Sequence, residues 1–434
     1  MTYNEALEYI HSVCWMGSRP GLERITELCG LLGNPEDSLK FIHIAGTNGK
    51  GSTSSMLSSI LVENGYRVGL YTSPFIERFN ERIMLNGEDI SNEDLARDTE
   101  YVKQYADMMK DSPTEFELIT AIAFVYFKRM NCDYVVLECG LGGRLDSTNV
   151  IKTPVLSVIT GIDRDHTAIL GDTTAKIAAE KAGIIKKNIP VVFGEGDDAA
   201  ENVIRSAAEK MESPYRRTDF SAIRGIETSL DGTSFDFKGK RVRISLRGLY
   251  QTRNAATVLT AVDMLRENGV RITEESVATG LIRAEWKARF ETLSDKPLVI
   301  YDGAHNLQGI RGAVENISHY LSSLTEDGRV ILLMGVMADK DHLEMIELLA
   351  PCTRRVYTVT PSNERSLDSA GVESEFRTFG VEAYSFDSID EGVRAAMDDA
   401  ERGNIPLVCL GSLYMYADVK SAVLKNIEVK QEII

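Results

Sequence analysis

A short apolar run, Phe41-Ile42-His43-Ile44-Ala45, leads straight into Gly46-Thr47-Asn48-Gly49-Lys50-Gly51-Ser52, and a helix-like segment reaching Asn64 follows. Strand, glycine-rich turn and helix in that order belong to an open α/β sheet. The order also sets backbone N–H groups and a helix N-terminus around an anion, with Lys50 as a mobile point charge. The segment reads as a phosphate cradle for ATP or a similar nucleotide. Its spacing is not that of the common phosphate loop: only Thr47 and Asn48 separate Gly46 from Gly49, and Gly51 stands between Lys50 and Ser52. The bland alternative is a strand-to-helix turn that holds no ligand.

The remaining chain extends this pattern. Candidate strands are Phe41–Ala45, Arg67–Tyr71, Tyr134–Leu137, Val155–Thr160 and Val191–Phe193, and candidate helices are Gly51–Asn64, Phe116–Met130, Thr174–Ile185 and Asn254–Asn268. Such alternation predicts a mostly parallel sheet covered by helices. Between Thr218 and Ser245 short polar strands broken by glycine predict an antiparallel edge. A second alternating series then begins, with strands at Leu298–Tyr301, Val330–Met334, Arg355–Val359, Glu382–Phe386 and Pro406–Leu410. The expected organisation is an ATP-binding domain over residues 1–293 and a smaller, doubly wound Rossmann-like domain over 294–434. The 434 residues are enough for about two or three domains.

Composition narrows the function classes. A net charge of −17 argues against a nucleic-acid backbone as the main partner. It leaves room for a small anionic substrate, since arginines such as Arg78, Arg82 and Arg144 can gather in a cleft, although each alone reads as a solvated charge. No apolar run is long enough for a membrane span, and Met1-Thr2-Tyr3-Asn4-Glu5-Ala6 has no secretion-signal character. The six cysteines, Cys14 among them, form no Cys-x-x-Cys pair or zinc spacing. Reduced thiols in a cytoplasmic protein are expected.

Four other segments carry candidate chemistry. Asp133–Glu138 is a buried-strand pattern ending in a carboxylate, where nucleotide-binding sheets place a group near the phosphates and Mg²⁺. Cys139-Gly140-Leu141-Gly142-Gly143-Arg144-Leu145-Asp146 follows it, with glycines that let the backbone approach a ligand. Thr160–Thr167 places ionisable groups, including His166, beyond a strand's carboxyl end, where open α/β sheets bind ligands. Lys181 lies in a helical segment and by spacing reads as a solvated lysine. In the second series, Asp302-Gly303-Ala304-His305-Asn306 suits either a binding edge or an Asx-turn before a helix.

Together these residues resemble the folylpolyglutamate synthases of the Mur ligase superfamily. The shared series is His43–Ser52, Tyr71-Thr72-Ser73-Pro74, Phe79–Ile83, Phe116–Phe124, Gly140–Asp146, Glu180–Ile184, Asp302–Asn306 and Gly411-Ser412-Leu413-Tyr414. The resemblance implies ATP-dependent ligation of L-glutamate to a folate carboxylate through an acyl phosphate, with dihydrofolate synthase activity on dihydropteroate as the alternative or second activity. It implies that Gly49, Lys50, Gly51 and Ser52 hold phosphates, and that Asn254, Arg289 and Asp302 bind nucleotide. Ser73, Glu138 and His166 correspond to Mg²⁺ ligands, and Lys181 to a carbamoylated lysine. Lys50, His166 and Lys181 are the expected catalytic set. Ser73, Arg82 and Asp146 resemble folate-site elements, with His305 and Ser412 on the glutamate side. A monomer is the family expectation.

Three departures stand out. The family usually reads Gly-x-His-Gln before Asn254, where this chain has Gly248-Leu249-Tyr250-Gln251. Lys287-Ala288 replaces a common Pro-Gly before Arg289, and Phe75 replaces a frequent histidine. A cell-wall amino-acid ligase is the nearest rival, but such enzymes usually carry an extra domain before the phosphate loop, and 45 residues precede Gly46 here. A nucleotide-driven switch without ligation is the rival from another class.

Overall fold

A computed structural model describes residues 1–13, 19–229 and 232–432; Cys14 lies outside them. The chain divides into two compact units. One comprises Met1–Arg224, Asp236–Arg243 and Arg253–Glu285; the other comprises Gly225–Phe235, Ile244–Thr252 and Trp286–Ile434.

The first unit is built on eight strands: β1 (Phe41–Ala45), β2 (Val68–Tyr71), β3 (Ile83–Leu85), β4 (Glu88–Asp89), β5 (Tyr134–Glu138), β6 (Leu156–Gly161), β7 (Val191–Glu195) and β8 (Tyr215–Arg217). Their order is β4-β3-β2-β5-β1-β6-β7-β8. The pairs from β2 to β8 are parallel, while β3 and β4 add antiparallel at one edge. β1 and β5 are buried at every residue, which is why they read as continuous apolar runs. The chain runs from β1 to β2 on one side and from β5 across to β6 on the other. This reversal of direction opens a crevice at the carboxyl ends of the central strands, the usual ligand position in such sheets. One apolar core joins Phe41, Phe124, Phe127 and Leu137 to the N-terminal helices. Another joins Ile159, Phe193 and Ile204.

The second unit holds β12 (Glu291–Asp295), β13 (Leu298–Tyr301), β14 (Val330–Met334), β15 (Thr353–Thr358), β16 (Glu382–Ser385) and β17 (Leu407–Leu410). The order is β12-β13-β17-β14-β15-β16, antiparallel only between β12 and β13. The unit's main segment begins at Trp286, and β12 is its first strand.

Two expectations need correction. The polar strands β9 (Ile223–Ser229), β10 (Gly232–Phe237) and β11 (Lys240–Ile244) form a separate three-stranded sheet, not an edge of the large one, whose edge strands are β4 and β8. The helix expected to reach Ile185 ends at Ala182. Gly183 lies so close to Arg144 that a Cβ would fall 2.4 Å from its Cα, and the chain leaves the helix there.

Candidate active site

β1 ends against β6, and the turn after it is wedged there. A Cβ on Gly46 would lie 1.9 Å from Thr160 Oγ1. That hydroxyl donates to the Asn48 carbonyl at 2.7 Å, and the Thr47 N–H donates to the Gly161 carbonyl at 2.6 Å. Gly49 opens the helix Lys50–Glu63 with φ +82°. A Cβ there would sit 2.5 Å from Asn254 Oδ1, so Asn254 lies directly over the turn. A glycine cap brings no side-chain acceptor to the first-turn N–H groups, the arrangement in which an anion serves instead.

Two lysines converge on this turn. Lys50 Nζ donates to the Gly46 and Thr47 carbonyls at 3.1 and 3.2 Å, and Lys181 Nζ donates to the same Gly46 carbonyl at 2.8 Å. Lys181 is only 3% exposed, so the reading of it as a solvated lysine is wrong. Helical spacing could not reveal this, because Lys181 is buried by the turn after a strand far away in sequence. Burial, and then the nearby Lys50 charge, push its pKa down to about 7.

Glu138 closes β5 beside Ile44 of β1 and is buried. Ser73 follows β2, the other neighbour of β5. The loop from Ser73 folds around Glu81, a residue of the Phe79–Ile83 motif to which the sequence assigned no role of its own. Its carboxylate accepts from the Ile76 and Glu77 N–H groups at 2.7 and 3.1 Å. The loop stacks Arg82 on two rings, 5.1 Å from the Phe75 centroid and 5.6 Å from that of Phe79. His166 is exposed at the N-terminus of the short helix Thr167–Leu170 with φ +50°, and its N–H donates to Asp165 Oδ1 at 2.8 Å. Among the described residues, no three His, Cys, Asp or Glu side chains cluster as a metal site.

Asp146 is buried, and burial raises its pKa despite hydrogen bonds from the Leu141 N–H and from the Thr148 N–H and hydroxyl. Behind it, Thr148 Oγ1 meets Nε2 of the buried His43 at 2.9 Å. Burial holds the imidazole pKa down at about 3, so His43 is neutral. Arg144 pairs with Glu180 at 2.8 Å on the surface.

In the second unit, Asp302 follows β13 and is buried. Its Oδ1 accepts from the Ala304 N–H at 3.0 Å, an Asx-turn, and its Oδ2 accepts from the Tyr250 hydroxyl at 3.1 Å. Burial lifts its pKa to about 6, against the pull of Arg289 and of hydrogen bonds from Tyr250, Ala304 and Phe290. Tyr250, a departure in the sequence, is thus a half-buried partner of the buried Asp302. A Cβ on Gly303 would lie 2.6 Å from Arg289 Nη1, so the glycine leaves room for the guanidinium. His305 Nδ1 lies 2.7 Å from the Gly303 carbonyl, and Asn306 caps the helix Leu307–Asn316. Ser412 is buried, with its Oγ accepting from the Tyr414 N–H at 3.1 Å and its carbonyl accepting from the Tyr301 hydroxyl at 2.5 Å.

The chain matches the Mur ligase middle domain over residues 44–262 and the Mur ligase glutamate ligase domain over 288–412. It is 35% identical to a dihydrofolate synthase/folylpolyglutamate synthase of Bacillus subtilis over 96% of this chain and 98% of that protein. It is 37% identical to a folylpolyglutamate synthase of Lacticaseibacillus casei over 98% of this chain and 99% of that one. Folylpolyglutamate synthase of Mycobacterium tuberculosis, solved with ADP and AMPPCP, superposes with a TM-score of 0.86 at 27% identity over 98% of both chains. A folylpolyglutamate synthase solved with AMPPCP and folate gives 0.84 at 33% identity, over 99% of this chain and 100% of the other. With both Mur ligase domains present and full-length relatives above 30% identity, the chain belongs to the folylpolyglutamate synthase/dihydrofolate synthase family of ATP-dependent ligases.

Proposed function

We propose that this enzyme joins L-glutamate to the γ-carboxylate of tetrahydrofolate or a folylpolyglutamate, at the expense of ATP. One observation carries the assignment of the chemistry: Lys50 and Lys181 meet at the Gly46 carbonyl of a turn built to receive an anion. A carboxylate is a poor electrophile until one oxygen becomes part of a good leaving group. In the first step a folate carboxylate oxygen forms a bond to the γ-phosphorus, and the bond to the ADP oxygen breaks. The glutamate amine then adds to the acyl carbon. Phosphate leaves from the tetrahedral intermediate and the nitrogen loses a proton. Both reactants of the first step are anions, so Lys50 serves by neutralising and aligning phosphate charge, with Gly49, Gly51 and Ser52 around it.

Asn254 lies over the turn, and Arg289 and Asp302 are the proposed nucleotide contacts of the second unit. Mg²⁺ would add further neutralisation. The Ser73 hydroxyl and the Glu138 carboxylate are hard oxygen donors that suit it, with His166 as the third, less usual, ligand. Carbamoylation of Lys181 requires a neutral amine to add to CO₂, and an amine with a pKa near 7 supplies it at neutral pH. The Phe75–Arg82 surface and Asp146 would receive the folate, and His305 and Ser412 the incoming glutamate. The enzyme is proposed to act as a cytoplasmic monomer. Cys29, Cys132, Cys139, Cys352 and Cys409 are free thiols, as a reducing compartment keeps them. The bifunctional relative from Bacillus subtilis favours a second reading, ligation to dihydropteroate by the same site.

The test follows phosphate release from MgATP with L-glutamate, comparing tetrahydrofolate with 7,8-dihydropteroate and weighing the products. Glutamate-dependent release and a product heavier by one glutamyl residue are expected with tetrahydrofolate. Release with dihydropteroate as well establishes the second activity. Lys50→Ala is expected to keep the fold by circular dichroism and lose turnover; near-normal turnover in that variant sinks the phosphate-turn assignment. Nucleotide hydrolysis indifferent to glutamate and folate would point to a switch.

A further inference from the structure

Arg289 sits in an unusual backbone. The residues on both sides of it, Ala288 and Phe290, have positive φ, +55° and +49°, and neither is glycine. Side chains rarely adopt this conformation unless their surroundings impose it. Here both are fully buried, and Phe290 belongs to the second unit's core.

The turn is held on both faces. The Gly303 N–H donates to the Ala288 carbonyl at 2.8 Å, and the Ala288 N–H donates to Glu291 Oε2 at 2.8 Å. Glu291 is fixed in turn, because the buried Tyr416 hydroxyl lies 2.9 Å from both of its carboxylate oxygens. The Tyr416 ring meets that of Tyr301 edge-on at 5.0 Å, and Tyr301 stands opposite Glu291 in the β12–β13 pairing. Arg289 Nη1 donates back to the Ala288 carbonyl at 3.2 Å, so the conformation of Ala288 also sets where the guanidinium lies.

We propose that Glu291, locked by Tyr416, is a positioning residue that clamps the left-handed Ala288 turn and so presents Arg289 to the nucleotide. The proposal rests on the reading of Arg289 as a nucleotide contact and adds to it the device that holds Arg289 in place. Alanine at 288 makes the clamp necessary, since glycine would adopt this φ with little strain.

The experiment measures AMPPCP affinity by calorimetry, together with KM for MgATP and for glutamate, in Arg289→Ala, Glu291→Ala, Tyr416→Phe, Ala288→Gly and selected pairs. Glu291→Ala is expected to weaken AMPPCP binding and raise KM for MgATP by about tenfold, about one decade of affinity, while KM for glutamate stays within about twofold. Tyr416→Phe, which keeps the ring packing, shifts the same constants in the same direction by less, and it serves if Glu291→Ala fails to fold. Adding Ala288→Gly to either variant restores most of the loss, and adding either to Arg289→Ala costs little more. Unchanged nucleotide affinity in folded Glu291→Ala and Tyr416→Phe overturns the proposal. So does a loss that Ala288→Gly does not relieve, or one that adds in full to Arg289→Ala. If Arg289→Ala itself binds AMPPCP normally, the assignment of Arg289 falls instead, and the clamp has no nucleotide role to serve.

Discussion

Lys181 shows how far burial can change a residue that looks ordinary in the sequence. Its amine, 3% exposed, donates to the carbonyl that also holds Lys50. Its pKa falls from 10.5 in a solvated lysine to about 7. Below about 7 the amine is protonated in both folded and unfolded chains, and the cost of burying its charge is fully present. Between there and 10.5 the unfolded chain binds more protons, so this contribution to stability improves as pH rises. In urea unfolding without nucleotide, the wild type is therefore expected to gain stability relative to Lys181→Met as pH climbs through that window. A gap that does not change with pH would show that the amine is not buried as a charge. Tyr250 and Glu291 show the same point for other chemistries. Each is a common residue in the sequence, and each gains its role from a partner that the fold brings to it, Asp302 to Tyr250 and Tyr416 to Glu291.

At the scale of elements, the phosphate turn depends on close contact between β1 and β6. Gly46→Ala would drive a methyl into Thr160 Oγ1, 1.9 Å from the position of the new Cβ. The expected cost is about 1–3 kcal/mol of overpacking, with loss of AMPPCP binding as the turn shifts. Removing the hydroxyl with Thr160→Ala should recover part of both, measured by urea unfolding and calorimetry. Full nucleotide affinity in Gly46→Ala alone would contradict this account of the turn. The strands that were easiest to read, β1, β5, β13 and β14, are those buried nearly throughout. With both faces covered, they have no polar face to interrupt the apolar run. β3, β4, β8 and β12 were missed because they are short or lie at sheet edges, where half-exposed residues blur the period.

At the scale of the whole molecule, each unit carries an apolar core of its own. Phe376, fully buried on the helix Ser369–Thr378, belongs to the core of the second unit. Phe376→Ala is expected to cost about 3–5 kcal/mol, as large-to-cavity changes of an aromatic do, read as a lower urea midpoint. A cost under ~1 kcal/mol would mean that this core collapses around the vacancy. The series from His43 to Tyr414 made the family and its chemistry legible without coordinates, because motifs that approach phosphate need particular residues at particular local spacings. The strand-turn-helix unit, the two alternating series and the acidic composition were local or additive properties, and the chain alone determined them. Only the tertiary structure decided that Lys181 is buried on the phosphate turn, that the Tyr250 hydroxyl reaches Asp302, and that the Tyr416 hydroxyl reaches Glu291. Those outcomes depend on which groups the fold brings together from distant parts of the chain, and on the water it removes from between them. Neither has a signature in local spacing.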